Sequence, residues 1–99
     1  YIYVDDVVDA MVAAATAPNL NGQVINVGSG VETFIKELVN TVLNVTNSKA
    51  NVIYNNQTSG GVSRMKADLA VAKEKLRFTP SIQLEEGLKL TLQRDTRFK

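Results

Sequence analysis

Arg64 is the side chain in this 99-residue sequence best suited to hold an anionic ligand. Its planar guanidinium can make two parallel charge-assisted bonds to phosphate oxygens, which a lysine ammonium does not reproduce. It follows a polar, glycine-bearing stretch, residues 56–63, and precedes Asp68, so it stands between a loop and a helix start. The plainer reading is that Arg64 pairs with Asp68 one turn on, a surface ion pair worth ~0–1 kcal/mol. Tyr1 and Tyr3 are expected to face opposite ways, one toward a core and the other toward a cleft. There is no cysteine and no histidine. Within these residues that excludes thiol nucleophiles, disulfide frameworks, zinc clusters and imidazole acid–base chemistry.

Other apparent motifs weigh less. Gly28-Ser29-Gly30 follows an apolar run and precedes a helical pattern, as a dinucleotide loop does, but Thr33 stands where the third glycine of G-x-G-x-x-G is needed. A structural turn is the better reading. Asp5, Asp6 and Asp9 form an acidic cluster at a helix start, where capping and the helix dipole account for them. Asn44-Val45-Thr46 and Asn56-Gln57-Thr58 match the glycosylation sequon by chance in an asparagine-rich chain. Charge is uneven. Residues 1–62 carry two lysines against five acids, net −3, and residues 63–99 carry nine basic against five acidic side chains, net +4. The basic third reads first as a solvated face of terminal helices and second as a surface for an anion.

The elements that must position these residues follow from periodicity. Tyr1 to Val4 reads as a strand, and Val7 to Ala17 as a helix capped by Asp5 or Asp6 and stopped by Pro18. That helix is apolar on nearly every side, which predicts burial between layers. Val24, Ile25 and Val27 predict a central strand, and residues 51–55 a second short one. Phe34, Ile35, Leu38, Val39, Val42 and Leu43 recur at helical spacing after Thr33, the expected cap. Asp68 is placed to cap a helix over 69–76, and a last helix runs from Leu84 to Arg94, with Gly87 for close packing and Glu85 set to pair with Lys89. Strands alternating with helices predict an α/β fold of short strands and about four helices, in one domain or part of one.

Taken in series, YIYVDDVVDAM, GQVINVGSG, the spaced Arg64 and Asp68, and FTPSIQLEEGLK resemble the C-terminal part of an extended short-chain dehydrogenase/reductase. More narrowly the chain resembles the NAD-dependent epimerase/dehydratase family that acts on nucleotide sugars and includes UDP-glucose 4-epimerase. The resemblance covers essentially all of residues 1–99. It implies the substrate-binding portion of a Rossmann-type enzyme, with the cofactor domain upstream. NAD or NADP would sit in that domain beside a Tyr-x-x-x-Lys pair. Neither feature lies in these residues, so the chain by itself should bind no cofactor and be catalytically incomplete.

The resemblance further implies that Arg64 lies at the nucleotide-sugar diphosphate and that Tyr1 lies beside the nucleotide. Implied partners are the nucleotide sugar and the absent Rossmann domain, with no nucleic acid and no membrane, in a cytoplasmic setting. An apolar seam left open by the missing domain should make the isolated chain prone to self-association. There are departures from the family pattern. Thr58-Ser59-Gly60-Gly61 stands where an arginine precedes Pro-Gly-Asp, Ser63 where a second arginine is common, Val71 where a lysine is common, and Gln83 where a serine caps the last helix. These keep a non-catalytic relative and a non-enzymatic α/β interaction domain open as rival readings.

Overall fold

Tyr3 holds an extended backbone and its carbonyl accepts the Asp6 and Val7 amides at 3.1 and 3.3 Å, which starts a helix at once. The computed structural model describes residues 1–53 and 65–98. Four helices are seen: α1 Val4–Thr16, α2 Ile35–Thr46, α3 Ala70–Leu76 and α4 Leu84–Arg94, followed by a single 3-10 turn, Thr96–Phe98. α1 therefore begins three residues before the expected start. Asp5 and Asp6 lie inside its first turn, where their charge still suits the helix dipole, and neither side chain caps it. Pro18 ends it by forcing Ala17 into an extended conformation.

The expected α/β architecture does not form. All regular structure among the described residues is helical, with no strand and no sheet. Residues 23–27 do keep the period of a strand: Val24 is 88% exposed, while Ile25 and Val27 pack against the core. A strand is defined by the ladder to its neighbour, and this run has none. Residues 51–53 and 1–3 are likewise outside any strand, and Tyr54 and Asn55 lie outside the described residues.

The core is small. Ala10, Leu69, Ala72, Leu76 and Phe78 are buried, and Ile2, Ala13, Ala17, Leu20, Ile25 and Val27 are half-buried around them. α1 turns its small side inward, Ala10 with Ala13 and Ala17, so that α3 can approach it closely and Ala72 is fully buried. Its large side faces out, and the expected burial between layers is not met: Val4, Val8, Met11 and Val12 stand exposed. α2 packs against α4 with no buried residue of its own. The Cα radius of gyration is 16.4 Å, against about 13 Å for a compact domain of this length.

Side-chain caps do not close the helices where they were expected to. Asp68 Oδ1 accepts the Ala70 amide at 3.0 Å just ahead of α3, but the helix begins at Ala70 and Leu69 holds its N-cap position. At the head of α2 the expected Thr33 cap gives way to Phe34, which makes no side-chain bond. Asn47 ends α2 in the left-handed region, φ 54°, and the Ser48 amide reaches back to the Leu43 carbonyl at 3.0 Å. Arg77 ends α3 in the same way, and Phe78 folds back onto the core, its amide on the Ala72 carbonyl at 3.1 Å. α4 has the expected bounds, and Lys89 meets Glu85 at 3.4 Å.

Long-range bonds then tie the start of α1 to the segment before α4. The Asp6 carboxylate, 1% exposed, accepts the Ser81 amide at 3.2 Å from both oxygens, the Ser81 hydroxyl at 2.9 Å and the Ile82 amide at 3.0 Å. Beside it Tyr3 lies on Gly87, where an added Cβ would come 3.1 Å from the Tyr3 ring. Arg94 completes the joint, donating to Asp5 at 2.8 Å and to the Tyr3 hydroxyl at 3.2 Å.

Two outcomes follow from these contacts. Gly30 has φ 73°, and an added Cβ would lie 2.9 Å from Leu69 Cδ1, so Gly30→Ala should cost roughly 1–3 kcal/mol in urea unfolding; an unchanged midpoint would refute the close approach. Burial pushes the Asp6 carboxyl up, but the Ile82 and Ser81 amides and the Ser81 hydroxyl outweigh it and hold the group below its usual range. A depressed carboxyl gives stability that is present above about pH 4 and is lost as pH falls through the lowered native value. Asp6→Asn should lower stability by about 2 kcal/mol at pH 7, the scale of a charged hydrogen bond, and flatten the acid limb of stability against pH. Parallel acid limbs in wild type and variant would refute the assignment.

Candidate functional site

The joint between α1 and α4 opens into a cleft of about 490 Å³. One wall is Tyr1 with the turn residues Ser29, Val31 and Thr33, and the other is Pro80 to Glu85 at the head of α4. The turn holds its shape locally: Ser29 Oγ accepts the Val31 amide at 3.3 Å and donates to the Val31 carbonyl at 3.4 Å. Ser81 and Ile82 are held from behind by Asp6. The polar lining is thus hydroxyls from Tyr1, Ser29, Thr33 and Ser81, the Gln83 amide and the Glu85 carboxylate, with no cation among the described lining residues.

A second hollow of about 320 Å³ adjoins it, lined by Tyr1, Ile2 and Tyr3, by Leu38 of α2 and by Leu84 and Leu88 of α4 among others. Tyr1, Ile82, Gln83 and Leu84 belong to both hollows. Tyr1 is 61% exposed at their junction and Tyr3 is packed against Gly87, but both line the second hollow, so the expected opposite facing is not met: residues two apart on an extended run share a face. Arg64 lies outside the described residues, with residues 54–63. Beyond that gap Lys66 and Lys73 border a shallow hollow with Gly30 and Asp68.

Chemically the cleft can orient a polyhydroxylated ligand by hydrogen bonds, with an apolar face for a ring beside it. Ser81 donates to Asp6, but among the described residues that carboxylate is already bonded by the Ser81 and Ile82 amides and is not free to act as a base. Nor does the glycine turn fit a dinucleotide pyrophosphate: the space a Cβ would take at Gly28 and Gly30 is filled by Ala67 and Leu69. The described residues include no cluster of three metal-ligating side chains, and no described helix is long and apolar enough to cross a membrane.

Sequence reasoning singled out Tyr1, which lines the cleft, but not the residues beside it there. Ser81 reads as part of a helix stop, Thr33 as a cap, Gln83 as a substitution and Ser29 as a turn residue. The signal that was available is composition: three hydroxyl side chains flank the two turns that bound the cleft. Asp6 reads as a cap because sequence cannot show that its bonds go to residues 75 and 76 positions away.

No protein-family model matches the chain, and no solved structure matches it. Curated relatives do. The chain is 36% identical over 93 residues to the UDP-glucose 4-epimerase of Mycolicibacterium smegmatis, covering 94% of this chain and 29% of that protein. It is 31% identical to the UDP-N-acetyl-alpha-D-glucosaminuronate decarboxylase of Bacillus cytotoxicus, covering 94% of this chain and 30% of the relative. It is also 31% identical to UDP-glucuronic acid decarboxylase 1 of Arabidopsis thaliana, covering 87% and 19%. The chain is similar along nearly its whole length to UDP-sugar epimerases and decarboxylases, and it spans less than a third of each of them.

Proposed function

We propose that these residues form the C-terminal, substrate-binding portion of an NAD(P)-dependent nucleotide-sugar epimerase or dehydratase, catalytically incomplete alone. The observation that carries this reading is the hydroxyl-lined cleft at Tyr1, the shape and chemistry a sugar or ribose needs, in a chain similar to UDP-sugar enzymes. Tyr1 contacts the nucleotide sugar at the junction of the polar and apolar hollows. Arg64 grips the diphosphate. NAD or NADP, which the glycine turn here does not fit, belongs to the remainder of the enzyme. The exposed Val4, Val8, Met11 and Val12 face of α1 is where that remainder packs, and the isolated chain self-associates through it.

In the full-length enzyme Arg64→Lys should weaken UDP-sugar binding by about 1–3 kcal/mol with NAD affinity unchanged. Tyr1→Ala should weaken it to a lesser degree. Calorimetric titration with UDP-glucose reads both; full affinity in Arg64→Lys would leave that residue an ordinary surface charge.

A further inference from the structure

The Asp6–Ser81 contact has a chemical consequence beyond holding the fold. An ionised carboxylate only accepts hydrogen bonds, and a serine hydroxyl has one proton to donate. Ser81 Oγ lies 2.9 Å from Asp6 Oδ1, so its proton is committed to Asp6. The Ser81 amide is committed as well, at 3.2 Å to both carboxylate oxygens, as is the Ile82 amide at 3.0 Å. Ser81 therefore lines the cleft with lone pairs alone, in a position its own backbone fixes. Glu85, on the same wall, is another acceptor, and no lysine or arginine of the described lining offsets them.

We propose that Ser81, set by Asp6, is a specificity-determining residue: its hydroxyl oxygen takes a ligand O–H donor. Asp6 is the positioning residue and touches no ligand. The inference rests on the nucleotide-sugar reading and narrows it, because the Ser81 wall then receives the neutral, hydroxyl-bearing sugar while the diphosphate lies elsewhere.

The test compares UDP-glucose with UDP on the full-length enzyme by calorimetry. Wild type should bind UDP-glucose more tightly than UDP. Ser81→Ala removes the hydroxyl but leaves both amides on Asp6, so it should fold; UDP-glucose binding should weaken 5- to 20-fold, with UDP unchanged within twofold. Ser81→Thr, which keeps a hydroxyl, should restore most of the difference. Asp6→Asn, whose amide can itself donate to Ser81, should weaken UDP-glucose in the same selective way at temperatures where the variant remains folded. Equal weakening of both ligands in Ser81→Ala would mark a structural role alone and overturn the proposal. A wild type that binds UDP and UDP-glucose equally would overturn it too, while leaving the nucleotide-binding reading standing; a wild type that binds neither would sink both.

Discussion

One buried carboxylate holds the two halves of this fold together. α1 pairs with α3 and α2 pairs with α4, and neither pair buries enough apolar surface to dictate how it sits on the other. The Asp6 bonds to Ser81 and Ile82 settle that question from inside, and Tyr3 on Gly87 settles it from the side. The Arg94–Asp5 ion pair spans the same joint, but both side chains are about half exposed, 56% and 45%, where such pairs are worth ~0–1 kcal/mol. Bonds to a buried charge are worth roughly 1.5–3 kcal/mol. The carboxylate decides the geometry and the ion pair follows it.

The cleft inherits this arrangement. It exists because α1 starts immediately after Tyr1–Tyr3 and because its first turn is bonded to the residues that form the opposite wall. An aspartate is required for that double duty. Its charge favours the start of its own helix, and its two oxygens satisfy three donors from the chain entering another helix. A longer or neutral side chain would meet one demand and not the other.

How much of this was legible depends on whether the cause was local. α4 was legible to its bounds because Leu84, Leu88 and Leu92 recur at helical spacing and Pro80 fixes what precedes it. Asp68 was legible as a carboxylate just ahead of α3, where it accepts the Ala70 amide, but Leu69 holds the N-cap position. The start of α1 was not: Tyr-Ile-Tyr-Val carries the β-branched and aromatic residues of a strand, and the helix that follows overrides that preference. Val24 to Val27 alternate as a strand should, yet pairing is a property of two segments and no described segment lies beside them in a ladder. Of the two residues expected to meet ligand, Tyr1 is at the cleft and Arg64 is outside the described residues. Ser81 went unread because its chemistry comes from a residue 75 positions away.

α1 shows why the rest of the molecule leans on so few polar bonds. An amphipathic surface helix turns its large apolar side chains inward. Here Ala10 and Ala13 face α3, while Val4, Val8, Met11 and Val12 face outward. Small residues let α3 come close but yield little transfer free energy, since that term scales with the apolar area removed from water. Fully covering such a side chain yields roughly 1.5–3 kcal/mol, and with these four 48–66% exposed much of that is unrealised within the described residues. Stability therefore rests on close backbone approach, at Gly30 and Gly87, and on the Asp6 carboxylate. It follows that covering α1 would strengthen the chain most at the joint that shapes the cleft, because the same helix carries Asp6 on one face and the open apolar stripe on the other.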